Sequence, residues 1–219
     1  MKTYIIKNEK DLLKFKDEYG YKIDGNAEFE YSADFTGRLL VDGYLYIKAG
    51  EYIKAGEYIE AGGYIKAGGY IEAGESIEVG GYIEAGRSIK AGRSIKAGGS
   101  IEAGWSIEAG WSIEAGWSIE AGESIKAGGS YGIVAGLSIT CKTTLTFGLK
   151  AFAGICSWRT ISDEEKTITC GKMIGGVVEY GILKELGIPE DKPKTSLDNM
   201  FDEPIKQVEA LLETLKSLK

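Results

Sequence analysis

Isoleucine stands at every sixth position from Ile47 through Ile125, fourteen residues in one register. Between consecutive isoleucines the order is Lys or Glu, then Ala (Val79 once), then Gly, then a variable residue, then Tyr or Ser. Six is a multiple of the two-residue period of a strand and fits the 3.6-residue period of a helix poorly. A helix would spread the isoleucines around its circumference. Short strands alternating with turns keep them all on one interior side. The pattern predicts a strand at Tyr/Ser–Ile–Lys/Glu with Ile inward, and a corner at Ala–Gly, where Gly adopts φ > 0 without a Cβ penalty. Counting back in sixes from Ile47 reaches Val41, Phe35, Phe29 and Ile23, which places the start of the array near Ile23.

The flanks read differently. Thr3–Ile6 is predicted as a strand, and Glu9–Tyr19 as a short amphipathic helix after Asn8 as N-cap, carrying Leu12, Leu13 and Phe15. Residues 1–22 are then a cap on the array of residues 23–130. At Ser130-Tyr131-Gly132 two residues are inserted, after which Ile133, Ile139 and Leu145 resume the six-residue step. Residues 131–195 are expected to hold a degenerate final coil and two short strands, at Thr167–Lys172 and Val177–Gly181, before the linker GIPEDKPKT. From Asp202 as N-cap, Ile205, Val208, Leu212 and Leu215 fall on one face of a helix within residues 196–219. About 15 residues are marginal alone, so this helix is expected either to cap the array or to self-associate.

The units resemble those of hexapeptide-repeat proteins, which fold as left-handed β-helices. The resemblance implies three six-residue sides and about 18 residues per coil, hence a mainly β protein: a single-stranded β-helix, or β-solenoid, with a small α/β N-terminal cap and a C-terminal helix. The early units carry it best. Ala27 lies two residues before Phe29, and Ala33, Leu39 and Leu45 fill the same slot in later units, as that family's inward second position requires. Continued in sixes, the slot becomes Glu51, Glu57, Gly63 and onward to Arg87, Arg93, Trp105, Trp111 and Trp117. Charged residues cannot all be buried unpaired, so the corner is expected to shift in the later units. At 18 residues per coil Lys54, Glu72, Lys90, Glu108 and Lys126 would stack with alternating sign, and about six coils would span ~28 Å.

Many hexapeptide-repeat proteins are acyltransferases that use a histidine base, and this sequence has no histidine. A transferase of that type is therefore a minor alternative, and Ser–His or Cys–His nucleophiles are excluded with it. The chain is expected not to be an enzyme, and neither a cofactor nor a metal site is suggested. Cys141, Cys156 and Cys170 lack CxxC spacing and read as packing residues. The 26 basic and 33 acidic residues leave a net charge of −7, which disfavours direct nucleic-acid binding and favours a partner with a basic surface. No stretch reads as a secretion signal or membrane span, so a cytoplasmic setting without membrane contact is the expectation.

The densest functional signal is a band of Glu102, Trp105, Glu108, Trp111, Glu114, Trp117, Glu120 and Glu123 with no base among them. Tryptophan is enriched where interfaces concentrate their energy. The competing reading is packing, because units with Trp or Arg in the variable slot carry Ser beside it, so that one large residue shields each backbone stretch. At three sides per coil the tryptophans would encircle one coil. The uniform IEAG/IKAG units also resemble arrays of Firmicutes and their phages. That resemblance implies an acidic inhibitor occupying the nucleic-acid groove of a host defence protein, in the host cytoplasm. The alternative is a structural or fibre-like protein that oligomerises through its C-terminal helix.

Overall fold

The computed structural model describes residues 1–188; the C-terminal helix expected at 196–219, with Ile205, Val208, Leu212 and Leu215, lies outside them. The described chain is a parallel β-solenoid of three sheets, to each of which every full coil adds one strand. Sheet A has ten strands, from Thr3–Ile6 through Ile83–Ala85, Ile101–Ala103 and Ile119–Ala121 to Ile182–Glu185. Sheet B has nine, from Gly20–Ile23 to Val177–Tyr180, and sheet C eight, from Ala33–Phe35 to Lys172–Ile174. In the uniform region each residue stacks on its equivalent 18 positions away, as in Ile71 on Ile89 and Ala73 on Ala91. The 18-residue coil and the alternating ladder of Lys54, Glu72, Lys90, Glu108 and Lys126 are both present in sheet C.

The strand and corner fall one step later than the sequence pattern suggested. Each strand is Ile–Lys/Glu–Ala, with Ile and Ala both buried and the charged residue pointing out. Strand alternation sends residues i and i+2 to the same side, so Ala belongs to the interior and the corner is Gly–variable–Tyr/Ser. Isoleucine fills the breadth of each side, and alanine fits where the chain is about to turn inward against its neighbour.

The corner glycines of the uniform array are not there for a left-handed conformation. The glycines with positive φ are Gly20, Gly37, Gly50, Gly154, Gly175, Gly176, Gly181 and Gly187, none of which lies in the uniform array from Ile53 to Lys126. They are required by crowding between coils. A Cβ on Gly110 would collide with the carbonyl oxygen of Gly92, and one on Gly92 with that of Gly74. The next corner residue is less constrained, though unevenly: a Cβ would come within 2.9 Å of the coil below at Gly81 and 3.3 Å at Gly99, and would meet nothing at Gly129. Within the uniform array that difference accounts for a second corner position that varies beside a first that does not.

The early units keep the same inward pair, and the corner shifts only against the six-residue count, by a two-residue slip. Ala27 stacks under Leu45 and Leu45 under Ile65, while Ile47 lies under Ala67. Ala27, Ala33, Leu39 and Leu45 are thus equivalents of the later isoleucines, and Glu51 and its successors are corner residues. The phase slips because the turn after Ile47 is two residues longer, with Gly50 at φ 85°. Counting in sixes passes over this slip, since Ile47 occupies the second inward slot and Ile53 the first.

The second insertion lies where the repeat breaks: Ile113 pairs with Ile133, twenty positions on, and Ile133 with Ala151, eighteen on. The sheets run through it. Thr167–Cys170, Lys172–Ile174, Val177–Tyr180 and Ile182–Glu185 go on pairing in the same three sheets. The solenoid is longer than the expected six coils, with ten stacked strands spanning about 43 Å at ~4.8 Å each. At the other end Thr3–Ile6 extends sheet A, and Asn8 caps a helix of only Glu9–Leu12, followed by a 3-10 turn at Leu13–Phe15. Only Leu12 of that helix is buried, which leaves little to hold further turns.

Steric crowding at the corners gives a paired expectation. Gly110→Ala should destabilise the solenoid by about 1–3 kcal/mol, as overpacked positions do, whereas Gly99→Ala should change it by under about 0.5 kcal/mol. Thermal or denaturant unfolding of the two variants checks the contrast, and equal losses would contradict the crowding explanation.

Candidate functional site

Outward residues on the strands form columns, and their charges differ from sheet to sheet. In sheet C the signs alternate, and Lys54 meets Glu72 at 3.4 Å and Lys126 meets Glu108 at 3.1 Å. In sheet B Glu60 and Glu78 are stacked, and Lys96 pairs with Glu78 at 3.3 Å. Sheet A instead carries Lys66 followed by three successive acids, Glu84, Glu102 and Glu120. Lys66 pairs with Glu84 at 2.8 Å, which leaves Glu102 and Glu120 without a basic partner among the described residues. Like charges directly opposite one another are destabilising, so this column departs from the arrangement that sheet C achieves.

Glu102 registers that crowding. Its carboxyl is held above the usual glutamate range by desolvation first, and then by Glu120 and Glu84, with Lys66 opposing.

The three tryptophans occupy three different corners. Trp105 lies between sheets A and C, Trp111 between C and B, and Trp117 between B and A. They encircle a coil, as the three-sided reading implied, and they do not form one patch. Their relative exposures are 51%, 41% and 56%. Their surroundings separate them more clearly than exposure does. The Arg87 guanidinium lies 5.5 Å from the centroid of Trp105, and Arg93 lies 5.1 Å from Trp111. Trp111 also stacks on Tyr131 at 5.5 Å. Trp117 has Gly99 in the place of those arginines, its backbone N–H donating to the Gly99 carbonyl at 3.2 Å.

At this corner the chain forms a groove of about 510 Å³, floored by corner glycines and Ser100. Tyr82 and Trp117 line it together with Glu84 and Glu102. Tyr82 ends a stack of rings, Tyr44 on Tyr64 at 5.0 Å and Tyr64 on Tyr82 at 4.9 Å, after which the column continues as Ser100 and Ser118. A second groove of about 450 Å³ flanks the acid column on its other side, reaching Thr140 and Lys142.

Of the residues singled out in the sequence, Trp117, Glu102 and Glu120 are brought to one face. Trp105 and Glu108 lie towards sheet C, Trp111 and Glu114 towards sheet B, and Glu123 occupies the A-to-C corner above Trp105. Glu114 accepts a hydrogen bond from Ser112 Oγ at 3.1 Å. Glu84 and Tyr82 were missed. Reading the outward charges in steps of eighteen would have found Glu84, because it stacks directly on Glu102. Cys141 and Cys170 are buried on adjacent strands of sheet A in the slot that alanine fills elsewhere, and burial pushes the Cys141 thiol up to about 12. Among the described residues no group of acids and cysteines is arranged to hold a metal, and no helix is long and apolar enough to cross a membrane.

Comparison with protein-family models, with curated proteins and with solved structures gave no match in any of the three.

The acid column has a measurable cost. A carboxyl whose pKa is higher in the folded state than in the unfolded state destabilises the fold when ionised, a cost fully present above that pKa and relieved as pH falls through it. Glu102→Gln should therefore raise the thermal midpoint at pH 7, by up to about 4 °C if one like-charge contact costs about 0.2–1 kcal/mol. The gain should vanish at a pH low enough to protonate Glu102. A lower midpoint for the Gln variant at pH 7 would contradict the repulsion.

Proposed function

We propose that this chain is a non-catalytic binding protein that offers sheet A and its B-to-A corner to a protein partner with a basic surface. The observation that carries this reading is the stack of Glu84, Glu102 and Glu120 beside an aromatic-walled groove, on a scaffold that balances its charges in sheet C. A local rule broken at a stability cost is the mark of a functional site. The rigid ladder holds the acids at strand spacing before any partner arrives, so little ordering entropy is lost on binding. An acidic face of this kind suits a phage-borne inhibitor that occupies the nucleic-acid groove of a host defence protein.

A second reading, assembly into a larger structure, draws on the last coil. Ile174, Val177, Tyr180 and Leu183 are exposed there, at the end of the parallel sheets where a further strand layer could add. Light scattering of the full chain and of a chain lacking residues 197–219 checks it. Assembly through the C-terminal helix requires a multimer that the truncation dissociates, and two monomers would exclude it.

The binding reading is tested by capture from bacterial lysate on the immobilised full-length protein. Glu84, Glu102 and Glu120 changed together to Gln should lose the captured partner, and rising salt should release it from the unaltered protein. Glu60, Glu78 and Glu114 changed to Gln remove the same charge from sheet B and should retain it. Equal loss from both variants would show that net charge, not this face, attracts the partner.

A further inference from the structure

The three tryptophan corners are built on one plan, and two of them contain their own ligand. Eighteen residues before Trp105 stands Arg87, and eighteen before Trp111 stands Arg93; each lays its guanidinium over the indole one coil further on, at 5.5 and 5.1 Å. Arg93 is held in addition by Glu75 at 3.3 Å. Eighteen residues before Trp117 stands Gly99, and before that Gly81, so the same space is a groove. Its walls supply what a guanidinium needs. Trp117 offers an uncovered ring face, Tyr82 a second aromatic wall, and Glu102 a carboxylate that no basic side chain among the described residues occupies.

We infer that this corner is a socket for an arginine side chain of the partner protein, whose guanidinium takes the place that Arg87 and Arg93 fill at the sister corners. The inference rests on the reading of sheet A as the binding face and names what that face grips. Arginine fits better than lysine for two reasons. A planar, weakly hydrated guanidinium stacks on an indole face while its edge donates to a carboxylate, whereas an ammonium is a compact and strongly hydrated charge. The chain itself also uses arginine at both occupied corners, although lysine is the commoner base in the array.

The test uses the full-length protein and N-acetyl-arginine methylamide as probe, followed by the indole N–H resonances of the four tryptophans, with Trp117→Ser identifying the Trp117 signal. The Trp117 resonance should shift saturably, and N-acetyl-lysine methylamide should bind roughly 3- to 30-fold more weakly. Gly99→Arg is the decisive variant, because it rebuilds the sister-corner arrangement at a position where a Cβ meets the backbone below at 3.3 Å, a contact that a shift of a few tenths of an ångström relieves. It should fill the socket from within and abolish the response to the probe. Unmoved Trp105 and Trp111 signals would show that the variant is folded. A Trp117 signal indifferent to the probe, or responding equally in Gly99→Arg, would overturn the socket. Should that occur while lysate capture still depends on Glu84, Glu102 and Glu120, the binding face stands and the socket alone is wrong.

Discussion

Everything in this molecule depends on how closely one coil approaches the next at the corners. In the uniform array hydrogen bonds from each corner to the coil below, such as Gly110 N–H to the Ala91 carbonyl at 3.1 Å, draw the backbones together until a side chain at the first corner position would collide with the carbonyl beneath it; in the flanking coils Asp42 and Lys142 hold that position. Glycine there permits an in-register parallel ladder, and from Ile53 to Ile125 the ladder places isoleucine on isoleucine. Once that stacking is set, the outward residues have no freedom of partner. In the uniform array each outward charge faces the residue eighteen positions away, favourably or not.

Much of this was legible in the chain. The six-residue isoleucine step defines an interior, and its incompatibility with a helical period leaves a solenoid as the remaining solution. What the spacing could not convey was which inward slot a residue fills. Ile47 and Ile53 are six apart, yet one stacks with Ala67 and the other with Ile71, because strands have two inward positions and a longer turn exchanges them. The same ambiguity made Ala27 and Glu51 look equivalent. The last coil was obscured for a related reason: Thr167–Cys170 still buries Ile168 and Cys170 but has lost the repeat's residue types, and Val177–Tyr180 pairs through a register shift with only Val178 half-buried.

The site was legible only in part, because its elements are neighbours across coils and not along the chain. Trp105, Trp111 and Trp117 appear as one band in sequence, yet the three-sided coil sends them to three corners. Glu84 and Tyr82 lie far from Trp117 in sequence and line the same groove. The scaffold also explains why the corners can diverge. The second corner position tolerates Gly, Arg, Glu or Trp without disturbing the ladder, so chemistry can be written there at little cost to the fold. Sheet C uses the outward positions for charge balance, and sheet A gives that up in favour of an unbalanced acidic surface.

On the proposed reading, one face of the three-sided scaffold contacts the partner. Carbodiimide labelling of carboxylates, read by mass spectrometry with the captured partner bound and absent, measures this directly. Glu84, Glu102 and Glu120 on sheet A are expected to be shielded in the complex, while Glu72 and Glu108 on sheet C and Glu60 and Glu78 on sheet B label as in the free protein. Shielding centred on sheet B or C, or spread evenly over all three faces, would contradict it.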